Sequence, residues 1–288
     1  MRILVAYNPT AGGDGRDDVR ETLAALERAG HDVRAQSVKD DGWERALQSS
    51  CEFVVAAGGD GTVADVFKKL AGTSLPVAVV PIGNANNIAR SIERLRRETR
   101  FDLSALEWSS GATMFVESCG GGVFTEMVAR GAATQEHSSG NDKVELGLRS
   151  LLEVATAAEA AEWRVGADGL DLSGEYIAVE VLNIALLGPN VPLAPTADPG
   201  DGLLDLVLVR AAEAATLAAY ARARLDGVHE AELRLETHRA RKIVLEPPPD
   251  TQIRLDDELL GSVGRTLTAT VETNVDVRPP PVSGLGEA

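Results

Sequence analysis

The sequence predicts two folded parts, an α/β domain on a parallel sheet followed by a β-sandwich domain, and three observations carry that expectation. The first hundred residues alternate short apolar runs with segments of helical spacing, the order expected of parallel strands joined by crossover helices. One apolar run, residues 53–57, leads into Gly58-Gly59-Asp60-Gly61-Thr62 and then into a helical pattern. From about Leu103, short apolar runs separated by turn residues dominate, as in an antiparallel sandwich.

Residues 2–7 read as the first strand, and residues 17–29 carry apolar side chains at helical spacing until Gly30 stops them. A strand at 33–38, a short helix at 43–49 and the strand at 53–57 follow. A helix at 63–70 and a strand at 77–81 complete the series. In a parallel sheet the loops after Tyr7, Ala57 and Val80 belong on one edge, where ligands of such sheets bind. In the second part, strands are expected at 113–118, 176–187, 203–209, 242–246, 252–255 and 266–272, with helices at 143–162 and 211–224. The domains are set at 1–102 and 103–265, with region 266–277 a candidate to return to the first. The tail 278–288, rich in Pro, Gly and Ser, reads as disordered.

Composition narrows the function. A chain of 288 residues with net charge −16 has no basic surface for nucleic acid, and no nucleic-acid partner is expected. Residues 1–7 are too short for a secretory signal, and the longest apolar tract, 176–188, is broken by Glu180 and Asn183. Two cysteines, Cys51 and Cys119, fit a reducing cytoplasm. His31, His137, His229 and His238 lack zinc-ligand spacing, and no nucleophile-elbow motif occurs. Trp43, Trp108 and Trp163 read as packing residues. The basic stretch Arg90, Arg94, Arg96, Arg97 and Arg100 reads as a solvated helix face, or as a local membrane contact.

The loop at 58–62 has the build of a phosphate-binding turn. Glycines permit positive φ and close approach of a ligand, and the following helix offers N–H groups and the positive end of its dipole. Thr62 can cap or donate. Asp60 repels phosphate unless a cation or a proton stands between them. The P-loop pattern is absent, and Gly59-Asp60-Gly61-Thr62-Val63-Ala64 fits a dinucleotide fingerprint without the acidic residue expected about twenty positions on. An ordinary strand-to-helix turn is the simpler alternative. A second strand exit, Pro81-Ile82-Gly83-Asn84-Ala85-Asn86-Asn87, is packed with amides, and Asn8-Pro9-Thr10-Ala11-Gly12-Gly13 follows the first strand. Amide runs of this kind shape turns or bind a nucleotide.

Taken in order, Asn-Pro-x-x-Gly, Gly-Gly-Asp-Gly-Thr and Pro-x-Gly-x-x-Asn resemble the catalytic domain of the diacylglycerol kinase family, which includes sphingosine kinases and bacterial lipid kinases. Ala194-Pro195 with Asp201-Gly202-Leu203-Leu204-Asp205 is similar to a second family segment, and Asp256-Asp257-Glu258 stands where the family carries Asp-Gly-Glu. The resemblance runs from about residue 3 to 272. It implies ATP and Mg²⁺ as cofactors, an NAD-kinase-like α/β domain with a β-sandwich, and phosphoryl transfer to a lipid hydroxyl at the membrane surface. Diacylglycerol or a related lipid is the implied substrate, and the location is cytoplasmic or peripheral at the inner membrane face. Oligomeric state is left open.

By the same resemblance, Asn8, Gly58, Gly59, Asp60, Gly61, Thr62, Gly83, Asn84, Asn86 and Asn87 hold the nucleotide, and Asp60 holds Mg²⁺ through water. Asp256 is the general base with Glu258 beside it, since residues i and i+2 of a strand share a face; a turn at that point is the alternative. Asp201 and Asp205 resemble residues that support a structural metal, although Asp-Gly is also a turn signal. Three departures stand out: Asn84 and Asn87 where the family has Thr and Asp, Asp257 for its Gly, and a short stretch between Arg90 and Asp102. The rival readings are an NAD-kinase-like enzyme and a non-catalytic nucleotide or lipid binder.

Overall fold

The computed structural model describes residues 1–10, 15–95, 99–134, 141–228, 231–261, 264–282 and 284–285. Gly12, Gly13, Arg96, Arg97, His137 and His229, singled out above, lie outside the described residues. The chain divides into two compact units, residues 1–103 with 273–288, and residues 104–272.

In the first unit, strands β1 (Arg2–Tyr7), β2 (Asp32–Ser37), β3 (Phe53–Gly58) and β4 (Val77–Pro81) alternate with α1 (Gly15–Arg28), α2 (Asp60–Leu70) and α3 (Asn87–Leu95), and a 3-10 helix covers Trp43–Gln48. The pairing is parallel in the order β2-β1-β3-β4, and the end of the final strand adds Val277 opposite Val77. Every residue of β3 is buried, as a strand covered on both faces must be. On one face Ile3, Val5, Phe53, Val55, Ala78 and Val80 meet Val19 and Leu26 of α1. Phe67 of α2 packs edge-on against Phe101, with ring centroids 5.1 Å apart. Trp43 is tied to α2 by its indole N–H, which donates to Asp65 at 3.0 Å.

The second unit is a β-sandwich with a helical layer. Its strands are β5 (Thr99–Trp108, entering from the first unit), β6 (Gly111–Phe115), β7 (Ser118–Gly122), β8 (Ala161–Ala167), β9 (Leu170–Asp171), β10 (Gly174–Tyr176), β11 (Ala178–Leu182), β12 (Leu204–Val209), β13 (Glu236–Ala240), β14 (Lys242–Glu246), β15 (Ile253–Leu255), β16 (Glu258–Leu259) and β17 (Leu267–Val277). One antiparallel sheet runs β13-β12-β11-β7-β15-β16, and facing strands include β10, β8, β14 and β17. Between them lie Cys119, Val179, Val181, Leu206, Leu208 and Leu255 from one sheet and Trp163, Val165, Ile243, Leu245, Leu267 and Ala269 from the other. The alternate residues of the first sheet, such as Ala178, Leu182, Val207 and Val209, turn outward. There they meet α4 (Val123–Thr134), α5 (Asn141–Ala157) and α6 (Ala214–Leu225).

Several local expectations change. The helix expected over 143–162 ends at Ala157, and Ala161–Ala167 is a strand whose Trp163, Val165 and Ala167 point inward with period two. The strand expected over 176–187 stops at Leu182, where the chain leaves the sheet. The tail is not wholly free of the fold, because Val282 and Leu285 pack against the apolar cluster of the first unit.

Candidate active site

The three loops of the first unit meet on one sheet edge. Asn8 N–H donates to Ala57 O at 3.3 Å, and Ile82 N–H donates to Gly58 O at 3.0 Å. Glycines make this approach possible, though not through positive φ: none of Gly58, Gly59, Gly61 and Gly83 adopts it, and Gly59 is extended at φ −87° and ψ −175°. The constraint is space. A Cβ on Gly83 would fall inside contact distance of Gly59 Cα and 2.8 Å from Asn86 Oδ1, and one on Gly58 would lie 2.5 Å from Thr62 Cβ. The expectation of left-handed glycines is therefore corrected to one of backbone packed on backbone.

Asp60 is the first residue of α2, and its Oδ1 accepts the N–H of Ile88 at 2.9 Å in the first turn of α3. The carboxylate thus stands at two helix N-termini, each favouring negative charge by tenths of a kcal/mol up to about 1 kcal/mol. This explains how an acid persists in this glycine-rich turn. The first N–H groups of a helix have no intrahelical acceptor, and here that of Ile88 in α3 is met by Asp60. Thr62 N–H and Val63 N–H both turn back to Gly59 O at 3.0 Å.

The amides divide their work. Asn86, at φ 51°, closes its own loop: Oδ1 accepts Gly83 N–H at 3.0 Å and Nδ2 donates to Gly83 O at 2.8 Å. Asn8 Oδ1 accepts the N–H and hydroxyl of Thr10 at 3.0 and 2.9 Å. Both shape the loops in which nucleotide contacts were expected of them. Asn84 is half-buried, and Asn87 is buried at the start of α3.

In the second unit, Asp256 and Glu258 do not share a strand face. Asp256-Asp257 forms the two-residue turn between β15 and β16, Asp256 has φ 53°, and Leu255 pairs with Glu258. Glu258 is exposed, whereas Asp256 is buried and accepts the N–H groups of Val116, Glu117 and Ser118 at 3.0, 2.8 and 3.4 Å. The premise that paired the two acids is corrected by this turn. Beside it, Arg254 donates to Asp256 O, to Ser118 Oγ at 3.1 Å and to Glu180 Oε2 at 2.6 Å. Burial pushes the Glu180 carboxyl up, and Arg254 pulls it back part of the way. Burial also raises the Cys119 thiol, which faces the sandwich core and is no nucleophile.

Asp201 and Asp205 do not fit a shared metal ion. Asp201 is ion-paired with Arg239 and accepts Leu203 N–H at 2.9 Å, so a guanidinium supplies its countercharge. Asp205, on β12, is 2% exposed with no partner at Oδ1. No group of three or more His, Cys, Asp or Glu is placed for a metal among the described residues. Burial pushes the Asp205 carboxyl up to about 6. Because its folded value exceeds the usual carboxylate range, its contribution is complete below about pH 4 and is lost as pH rises through about 6. Asp205→Asn should therefore stabilise the chain at pH 8, by on the order of 2 kcal/mol, with the advantage gone near pH 4. Urea denaturation at both pH values measures this. A variant less stable at pH 8 would mean that the carboxylate holds a cation.

With this geometry in hand, likeness to known proteins defines the class. Residues 2–111 match the diacylglycerol kinase catalytic domain. Residues 125–279 match the YegS C-terminal NAD kinase beta sandwich-like domain. The chain belongs to the diacylglycerol kinase-like lipid kinase family. It is 29% identical over 222 residues to a probable lipid kinase YegS-like protein of Pseudomonas aeruginosa, covering 72% of this chain and 71% of that one. It is 23% identical over 274 residues to a diacylglycerol kinase of Bacillus subtilis, covering 90% of each. A crystal structure of a diacylglycerol kinase from Bacillus anthracis superposes with TM-score 0.72 at 18% identity over 97% of each chain, which is a likeness of fold.

Proposed function

We propose that this chain is an ATP- and Mg²⁺-dependent kinase that transfers the γ-phosphoryl group to a hydroxyl of diacylglycerol or a related lipid. The observation that carries the reading is Asp60 at the joint of two helix N-termini, between loops whose glycines leave room only for backbone. Phosphoryl transfer asks for position and charge neutralisation more than for covalent chemistry. The first N–H groups of α2 and the Thr62 hydroxyl bind phosphate oxygens, with Gly83, Asn84 and Asn87 completing the nucleotide contacts. Asp60 suits Mg²⁺ as a single hard oxygen ligand acting through water, and the ion when bound neutralises phosphoryl charge. Asn87 adds an amide without charge, so the metal rests on Asp60 and phosphate.

The proton of the acceptor hydroxyl needs a carboxylate. Asp256, which the resemblance names, is engaged by backbone amides, and exposed Glu258 lies across the turn. The lipid is met at the inner membrane face by transient contact; among the described residues no helix is long and apolar enough to cross a membrane. Transfer of label from γ-labelled ATP into a lipid extract tests the reading, with NAD⁺ as competing acceptor. Label entering NAD⁺ alone would favour an NAD-kinase activity.

A further inference from the structure

The parallel sheet of the first unit ends at β2, and among the described residues no strand pairs with its outer side. In a parallel ladder, alternate residues turn their N–H and C=O toward the neighbouring strand. Asp32 N–H donates to Met1 O at 2.9 Å and Val38 N–H to Tyr7 O at 2.9 Å, so the even-numbered residues of β2 serve β1. The N–H and C=O groups of Val33 and Ala35 therefore face away from the sheet. Edges of this kind are commonly blunted by Lys, by Pro, by a bulge or by a covering segment. β2, with the sequence Asp32-Val33-Arg34-Ala35-Gln36-Ser37, has neither Lys nor Pro and keeps an unbroken register with β1. Ala35, at the middle of the edge, is exposed. The charges of the strand are one acid and one base, Asp32 and Arg34, both exposed and neither held by a side-chain hydrogen bond or ion pair among the described residues.

We propose that β2 is a self-pairing edge whose occupant is β2 of a second copy of this chain, antiparallel about a two-fold axis at Val33. A closed two-fold pair of strands must run in opposite directions. This register sets Val33 opposite its counterpart as a hydrogen-bonded pair, which uses the outward N–H and C=O. It also sets Asp32 opposite Arg34 as a non-hydrogen-bonded pair, with Cα atoms about 4.5 Å apart, and symmetry makes that pair twice. Moving the axis to Arg34 opposes guanidinium to guanidinium, and moving it to Ala35 leaves both charges unmatched. Val33 and Leu23 are only partly buried on the rim of the apolar cluster under α1, and at the axis Val33 meets its counterpart. The antiparallel pairing points the two sets of Gly59 and Gly83 loops in opposite directions, so neither β2 edge covers them. The inference stands apart from the kinase reading.

Sedimentation velocity of the full chain at about 0.15 M salt tests it, because repulsion between chains of net charge −16 is then screened beyond about 8 Å. The wild type should dimerise with Kd on the order of 10 µM. Arg34→Asp sets carboxylate opposite carboxylate at both pairs and should weaken association by at least about tenfold. Asp32→Arg combined with Arg34→Asp keeps the net charge and rebuilds both pairs, so Kd should return to within about threefold of wild type. Hydrogen exchange locates the contact: the Val33 amide should be protected roughly tenfold more in the dimer than in the monomer. A chain that stays monomeric at about 100 µM would overturn the proposal, as would a dimer indifferent to Arg34→Asp or not restored by the exchange of charges. A dimer in which Val33 exchanges as in the monomer would overturn it too, and would put the contact on another surface.

Discussion

Arg254→Ala should cost about 3–5 kcal/mol of folding stability, because it leaves a buried carboxylate without its countercharge. The pair it breaks, Arg254 and Glu180 at 2.6 Å, has side chains 3% and 0% exposed. Glu180 has no route to water, and a Cβ on neighbouring Gly120 would already collide with its carboxylate. The same guanidinium supports Asp256 O and Ser118 Oγ, so the loss extends into the 116–118 segment bonded to Asp256. The double variant Arg254→Met/Glu180→Leu should recover most of the deficit by removing both charges, though not all, since two acceptors remain without their donor. Urea denaturation measures both. A single variant that loses less than about 1 kcal/mol would mean that water or another cation already compensates Glu180.

Gly83→Val should abolish ATP binding, and even Gly83→Ala should weaken it by about a hundredfold, the scale of a misplacement near 1 Å at a positioned site. The added Cβ collides with Gly59 Cα and presses on Asn86 Oδ1, so it parts the two loops and pulls the Ile88 amide from Asp60. The overpacking itself should cost about 1–3 kcal/mol. Gly30→Ala is the control: Gly30 has φ 82° and nothing within 4 Å of the place its methyl group would take, so that change strains the backbone and should leave ATP binding intact. Calorimetric titration with ATP and Mg²⁺ distinguishes the two. Wild-type affinity in Gly83→Ala would show that the loop contact does not form the nucleotide site.

Much of the first unit is legible in the sequence because its signals are local. The apolar runs of β1, β3 and β4 are buried strands of a parallel sheet, and the rule that such strands end on one edge brings Asn8, Gly59 and Gly83 together. What stays hidden is long-range. The bond from Asp60 to Ile88 spans 28 residues, and those from Asp256 to 116–118 span 138 to 140, so no local pattern reveals them. The strand at Ala161–Ala167 follows an Ala- and Glu-rich run whose helix propensity conceals the period-two burial of Trp163 and Val165. The Asp256 turn is concealed in the same way, since alternation suggests a strand where a left-handed aspartate reverses the chain.

The central claim is that the Asp60 joint holds a nucleotide for transfer to a lipid hydroxyl, and one measurement tests it most directly. Purified protein is incubated with γ-labelled ATP, Mg²⁺ and a total lipid extract, and the labelled product is identified by mass. The account predicts one dominant lipid that has gained a single phosphoryl group on a hydroxyl, with label lost in Asp60→Asn. ATP that binds in a Mg²⁺-dependent manner while no lipid acquires label would contradict it and identify the chain as a nucleotide binder without kinase activity.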